Sequence, residues 1–254
     1  YVSGSMYRGI ASEQLVTRMA RAGILSFFGT AGMSPTRVEQ ALVRLRAELG
    51  EGRPYGMNLL NTSSERALVD LYLRHGVRVI EASAYVQLSE PLIRYRVAGL
   101  RRSPLGEVVR AHRVIGKVSR PEVAEMFLRP PPEAMVGALL ARGEITREQA
   151  ALAQSVPMAD DLCVEADSGG HTDGGVAMVL LPTIQRLRDR IQRQTGTQVS
   201  VRVGLGGGIG TPEAVLAAFV LGADFVLTGS INQCTVEAGH SDTVKDMLER
   251  IDVQ

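Results

Sequence analysis

Eight short apolar runs, most of them followed by a helical pattern, recur along this chain. The runs fall near residues 1–10, 24–28, 55–60, 77–81, 112–118, 161–165, 199–205 and 223–227. Strands alternating with helices in series imply a parallel sheet. Eight such units predict closure into a (β/α)8 TIM barrel, and 254 residues is about the length such a barrel needs. The punctuation agrees. Ser12 is placed to cap one helix and Gly23 to stop it; Ser34-Pro35 opens the next, which runs to about Leu49. Ser63 or Ser64 opens the third, and Thr211-Pro212 opens the one that ends at Leu221-Gly222. A longer interval follows the helix near 90–97, and 242–251 reads as a final helix. Residues 119–159 exceed an ordinary strand-to-helix connection. They carry a Thr146-x-x-Gln149 capping box and predict a helical insertion between strands five and six, placed near the barrel mouth.

Active sites of such barrels sit where the strands end. Strand six runs into Glu165, Asp167, Ser168, Gly169, Gly170, His171 and Asp173, a tight polar loop. An imidazole held there can give or take a proton near neutral pH. Strand seven ends in Gly206-Gly207-Gly208 and strand eight in Gly229-Ser230. Glycines at those two connections let backbone N–H groups approach an anion, so the pair reads as a phosphate grip. Asn58, Glu81 and Lys117 stand near the ends of strands three, four and five, and Ser5-Met6 follows the first. Lys117 has three readings: partner of a cofactor anion, Schiff-base lysine of an aldolase-like barrel, or a lysine reaching from a strand end to water.

Other chemistries are disfavoured. The glycines at 204–210 do not spell G-x-G-x-x-G and follow a late strand, which argues against a Rossmann site. Ser168 lacks the G-x-S-x-G elbow. His171 and Asp173 offer two metal ligands at most, and Cys163 and Cys234 read as buried, reduced thiols. A net charge of +1 gives no reason to expect nucleic acid or a membrane surface.

The segments 165–173, 206–213 and 222–239 resemble the PfaD-type proteins, trans-acting enoyl reductases of polyketide and polyunsaturated fatty acid synthases. More distantly the chain is similar to nitronate monooxygenases and to the FMN-dependent bacterial enoyl-carrier-protein reductase. The resemblance implies a single FMN-binding barrel over 1–254 and a further C-terminal region outside this sequence. It places Gly206, Gly207, Gly208, Gly229 and Ser230 at the FMN phosphate. Ser5, Met6, Asn58 and Lys117 line the flavin, Asp167, Ser168 and Gly169 lie beside it, and His171 is the active-site histidine. It also implies NADPH, an acyl carrier protein bearing an enoyl thioester, and a cytoplasmic synthase setting, with a homodimer among the assembly options. Gly174-Gly175-Val176-Ala177 after the histidine loop leans toward the polyketide type. Arg94, Arg96, Arg101, Arg102, Arg110 and Arg113 form a candidate landing patch for the carrier. The rival readings are an oxygen-dependent nitronate monooxygenase, a Schiff-base aldolase using Lys117, and a non-catalytic component of a synthase.

Overall fold

A computed structural model of the chain describes residues 1–50, 52–168 and 173–251. Its strands are β1 (Val2–Ser3), β2 (Leu25–Phe28), β3 (Tyr55–Leu60), β4 (Val79–Ser83), β5 (Leu100–Arg102), β6 (Val108–Arg110), β7 (Arg113–Val118), β8 (Asp161–Glu165), β9 (Arg202–Gly206) and β10 (Val226–Thr228). All but β5 and β6 close into an eight-stranded barrel in the order β1-β10-β9-β8-β7-β4-β3-β2, with every pairing parallel. The (β/α)8 barrel expected from the strand–helix repeat is therefore the fold.

The outer layer holds α1 (Glu13–Arg21), α2 (Pro35–Leu49), α3 (Glu65–Arg74), α4 (Glu90–Ala98), α5 (Pro121–Leu128), α6 (Glu133–Ala141), α7 (Arg147–Ala153), α8 (Ala177–Thr195), α9 (Pro212–Val220) and α10 (Asp242–Leu248). Hydroxyls of Ser12, Ser34, Ser89, Thr146, Thr211 and Ser241 accept from the backbone N–H three residues on, satisfying donors that have no partner inside the helix. Thr146 and Gln149 complete the reciprocal box. Ser64 stands at the start of α3 without making such a bond.

Side chains alternate along each strand, so every second residue enters the barrel. Val2, Phe27, Ile115, Cys163 and Leu227 pack there as one apolar tier. The larger cluster fills the space between sheet and helices, with Met57, Leu59, Ile80, Val114, Leu162, Val164 and Val203 facing outward from their strands.

Several local expectations are corrected. The fourth strand is shifted two residues toward the mouth, to Val79–Ser83. The interval before strand five holds an antiparallel hairpin, β5 with β6, that precedes the barrel strand. Gln149 of α7 donates to the carbonyl of Ala98 at the end of α4, and Val136, Leu139 and Leu152 join the core, so α6 and α7 extend the barrel's flank. Cys163 is buried as expected, but Cys234 is exposed. The arginine patch also breaks up. Arg96 is fully buried and holds Asp160 at 2.6 Å while donating to the carbonyls of Pro157 and His112. Arg110 joins the same carboxylate at 3.3 Å, and Arg94 pairs with Asp70 and Glu144.

Removing one member of a buried ion pair strands the other charge. Arg96→Met should therefore cost about 3 kcal/mol or more, tempered by the remaining Arg110. Urea unfolding measures it; a loss below about 1 kcal/mol would show that the pair does not hold this flank together.

Candidate active site

The mouth tier lies one inward position beyond the apolar one. Along β4, Val79 is followed inward by Glu81 and Ser83; along β7, Ile115 by Lys117; along β8, Cys163 by Glu165. Registers Asn58↔Glu81 and Lys117↔Cys163 set these groups side by side. Glu81 is fully buried. Its Oε2 accepts from the Ser5 N–H (3.2 Å), the Ser5 hydroxyl and Asn58 Nδ2 (3.3 Å). Asn58 Nδ2 also donates to the Glu81 carbonyl and to Ser83 Oγ, both at 3.1 Å. Glu81 Oε1 has no hydrogen-bond partner among the described residues.

Lys117 Nζ stands 2.9 Å from Glu165 Oε1. Burial alone would favour its neutral amine, but Glu81 and Glu165 outweigh that and hold the ammonium protonated. Burial pushes Glu81 up, with Lys117 and Ser5 pulling it back, and pushes the Cys163 thiol up. A clamped ammonium is a poor nucleophile, which weighs against the Schiff-base reading. The pairing of Glu165 with Lys117 and the central role of Glu81 are the parts of this tier that the strand-end pattern alone does not give. Alternation from Lys117 and the pairing with Asn58 were the signals for them. Beside the tier lies a cavity of about 290 Å³, whose lining includes Ser83, Tyr85, Lys117, Arg120, Glu165 and Asp173.

Across the mouth, Gly206 is in register with Leu227, which brings the connection after β9 beside that after β10. Gly207 and Gly208 have φ of 91° and 69°. A Cβ on Gly207 would lie 2.3 Å from the Ala166 carbonyl oxygen, so the backbone of Ala166-Asp167 packs directly on this turn. A Cβ on Gly229 would meet nothing within 4 Å. The N–H groups of Gly207, Gly208 and Gly229 donate to no backbone carbonyl among the described residues. Ser230 opens a short 3-10 turn, Ser230–Cys234, in which Asn232 Nδ2 donates to Ser3 Oγ (3.2 Å) and the Thr228 carbonyl (3.1 Å). That bond fastens the turn to β1. Backbone donors without a backbone acceptor among the described residues are the kind of group an anion needs beneath it.

The structure thus brings Ser5, Asn58 and Lys117 together around Glu81, and Asp167, Gly206, Gly207, Gly208, Gly229 and Ser230 around the second seat. Met6 sits where the first strand turns, its carbonyl packed so closely on Gly29 that a Cβ there would come within 1.6 Å. Ser168 follows Asp167 and donates its N–H to Asp167 Oδ1. Gly169 and His171 lie outside the described residues.

Fold and site first define a class: a (β/α)8 barrel with glycine-containing connections after its last two strands, across the mouth from a buried polar tier. No family model matches the chain. It is 53% identical over 258 residues to the polyketide biosynthesis protein PksE of Bacillus subtilis, an alignment spanning 100% of this chain and 34% of that protein. It is 47% identical over 254 residues to a polyunsaturated fatty acid synthase component of Thraustochytrium, spanning 98% of this chain and 17% of that one. The crystal structure of the enoyl reductase domain of MlnA, from the macrolactin cluster of Bacillus amyloliquefaciens, matches with a TM-score of 0.94 at 45% identity, over 99% of this chain and 58% of that one. The chain is accordingly a PfaD-type barrel. It spans only part of the length of each of these relatives.

Asp173 tests the geometry at the edge of this mouth. Arg120 Nη2 (2.9 Å) and Nε (3.1 Å), with the Ser119 hydroxyl, hold its carboxyl down at about 2. A depressed carboxylate contributes stability that is present above its unfolded value, near 4, and lost as pH falls toward 2. NMR titration should place Asp173 near 2, and Arg120→Ala should move it up toward the ordinary range. An unchanged midpoint in that variant would show that the contact does not persist in solution.

Proposed function

We propose that this barrel is an FMN-dependent enoyl reductase acting in polyketide biosynthesis. It reduces α,β-unsaturated acyl thioesters on an acyl carrier protein, with NADPH as the electron source. The observation that carries the reading is the juxtaposition of two features in one mouth: glycine N–H groups at the ends of β9 and β10 with no backbone acceptor among the described residues, and a desolvated polar tier in which Glu81 Oε1 has no hydrogen-bond partner among the described residues. The residues fit FMN in kind. A phosphate needs several donors at close backbone approach, and Gly206, Gly207, Gly208, Gly229 and Ser230 offer them. A polar heterocycle edge needs donors and acceptors in a dry setting, and Ser5, Asn58, Lys117 and Glu81 supply both. Met6, Asp167, Ser168 and Gly169 complete the surround on the family resemblance. Support for the setting comes from PksE and from the Thraustochytrium synthase proteins, whose names place them in polyketide and polyunsaturated fatty acid assembly.

FMN would supply the hydride for the β-carbon of the thioester. The chain's residues do the rest. His171 donates a proton to the α-carbon or polarises the thioester oxygen; such acid catalysis is worth on the order of 10²–10⁴ in rate. Lys117, kept cationic by two carboxylates, contributes fixed positive charge near the developing enolate. Because the tier is already hydrogen-bonded, it needs no reorganisation as charge moves.

The test is anaerobic turnover of a carrier-bound crotonyl thioester with NADPH. The purified protein should be yellow and reduce the substrate. His171→Ala should stay yellow and lose activity by about 10²-fold or more. Turnover of a nitronate with oxygen, and none of the enoyl thioester, would overturn the proposal in favour of the monooxygenase reading. Normal reduction by His171→Ala would remove the histidine from the mechanism.

A further inference from the structure

A second cavity, of about 520 Å³, lies at the opposite end of the barrel, where strands begin. Arg46 reaches it from the last turn of α2, Arg53 from the loop that follows, and Arg78 and Arg113 from the starts of β4 and β7. Tyr55, at the start of β3, and His112 complete the wall used here. The Arg113 N–H donates to the Arg78 carbonyl at 2.7 Å, which fixes these two side by side.

None of the four guanidinium groups reaches a carboxylate among the described residues. Arginines elsewhere on the barrel commonly do: Arg37 with Glu13, Arg129 with Glu125, Arg202 with Asp161. Arg46 and Arg53 each give one N–H to a carbonyl, of His75 and Arg21, both at 3.4 Å, and keep their other donors. The near carboxylate is Glu39, already bound by His75 (2.9 Å) and Arg74 (3.7 Å). Glu51, between the lining residues Gly50 and Gly52, lies outside the described residues. Burial pushes the half-buried Tyr55 phenol up, and the nearby Arg46 and Arg78 pull it only partly back.

Four like charges converging from separate elements on one concave wall repel each other, and no described group of the chain offsets them. Concavity focuses their field. The volume is within the range of small-molecule sites. Guanidinium forks pair bidentately with phosphate, and a diphosphate offers enough oxygens to engage several at once. The Tyr55 hydroxyl adds a donor.

We propose that this cavity is an anion site, separate from the mouth, that takes a phosphorylated small molecule carrying two or more negative charges. It does not rest on the reductase reading. The test is calorimetric titration with inorganic pyrophosphate at fixed ionic strength, on wild type, Arg78→Ala/Arg113→Ala and Gly208→Val. The last variant blocks the mouth's own anion seat. Wild type and Gly208→Val should both bind at this site, and the double arginine variant should bind there at least tenfold more weakly. Both arginines are exposed, and an unchanged circular dichroism spectrum and melting curve confirm that the double variant is folded. Titration with adenosine diphosphate then distinguishes a bare diphosphate from a nucleotide as the preferred form. The proposal fails if the double variant binds pyrophosphate like wild type, if Gly208→Val abolishes all binding, or if citrate binds as tightly as pyrophosphate. Those outcomes leave the mouth's flavin reading untouched, because its own test is read from flavin colour, thioester turnover and His171→Ala.

Discussion

Closure of a parallel barrel forces a choice at every second residue. A side chain pointing inward has no route to solvent except along the axis, so the barrel must be filled in tiers. In this chain the middle tier is apolar and holds Phe27, Ile115, Cys163 and Leu227. One inward step further, Glu81, Lys117 and Glu165 put three ionisable groups under the mouth. The apolar tier closes the barrel below them, and the polar tier gives the opening its chemistry. Glu81 depends most on its neighbours. A carboxylate with no exposed surface is costly unless its oxygens are bonded, and among the described residues only one of them is. Ser5, just past β1, and Asn58 on β3 hold that oxygen, so the carboxyl depends on segments distant in sequence.

The use of lysine at position 117 follows from the same constraint. This chain is rich in arginine and has only two lysines, Lys117 and Lys245. A compact ammonium fits between Glu81 and Glu165 where a planar guanidinium would need a wider fork. Held there as a cation, it offsets part of the two carboxylates' charge and leaves the tier ready to meet an electron-rich ligand edge. The glycine seat across the mouth is complementary. It offers backbone donors and no side-chain bulk, and the Asn232 bonds to Ser3 and Thr228 tie it to the first strand. The inserted helices and the β5–β6 hairpin contribute to neither feature. Their work is on the flank, where Arg96 and Asp160 anchor the chain as it enters β8.

The barrel was legible in the sequence because its signals are local: apolar runs, hydroxyl caps and glycine stops, each read within a few residues. Asn58 and Lys117 were legible as strand-end polar groups. Glu81 was visible at a strand end, but its role depends on register with Asn58 and on Ser5, 76 residues away, which no local pattern encodes. Arg96 was misread for the same reason. Within a run of arginines nothing distinguishes the one that turns inward to Asp160, 64 positions on. The hairpin before β7 was missed because Ser103-Pro104-Leu105-Gly106 is not a strong hairpin turn signature. The inserted helices were legible from their capping box and apolar spacing, but their packing partners on α4 and in the core are set by tertiary contacts that no local pattern encodes.

Two ends of one barrel thus carry different electrostatics: a dry, hydrogen-bonded tier beside glycine backbone donors at the mouth, and a wall of four arginines at the base. The claim on which the functional reading depends is that the seat at Gly206–Gly208 and Gly229–Ser230 grips a phosphate while the tier meets a flavin ring. Comparing FMN with riboflavin by quenching of flavin fluorescence tests it most directly, since the two ligands differ only in that phosphate. Several charge-assisted bonds predict that FMN binds tighter by at least about a hundredfold. Equal affinities, or no binding of either, would contradict the account.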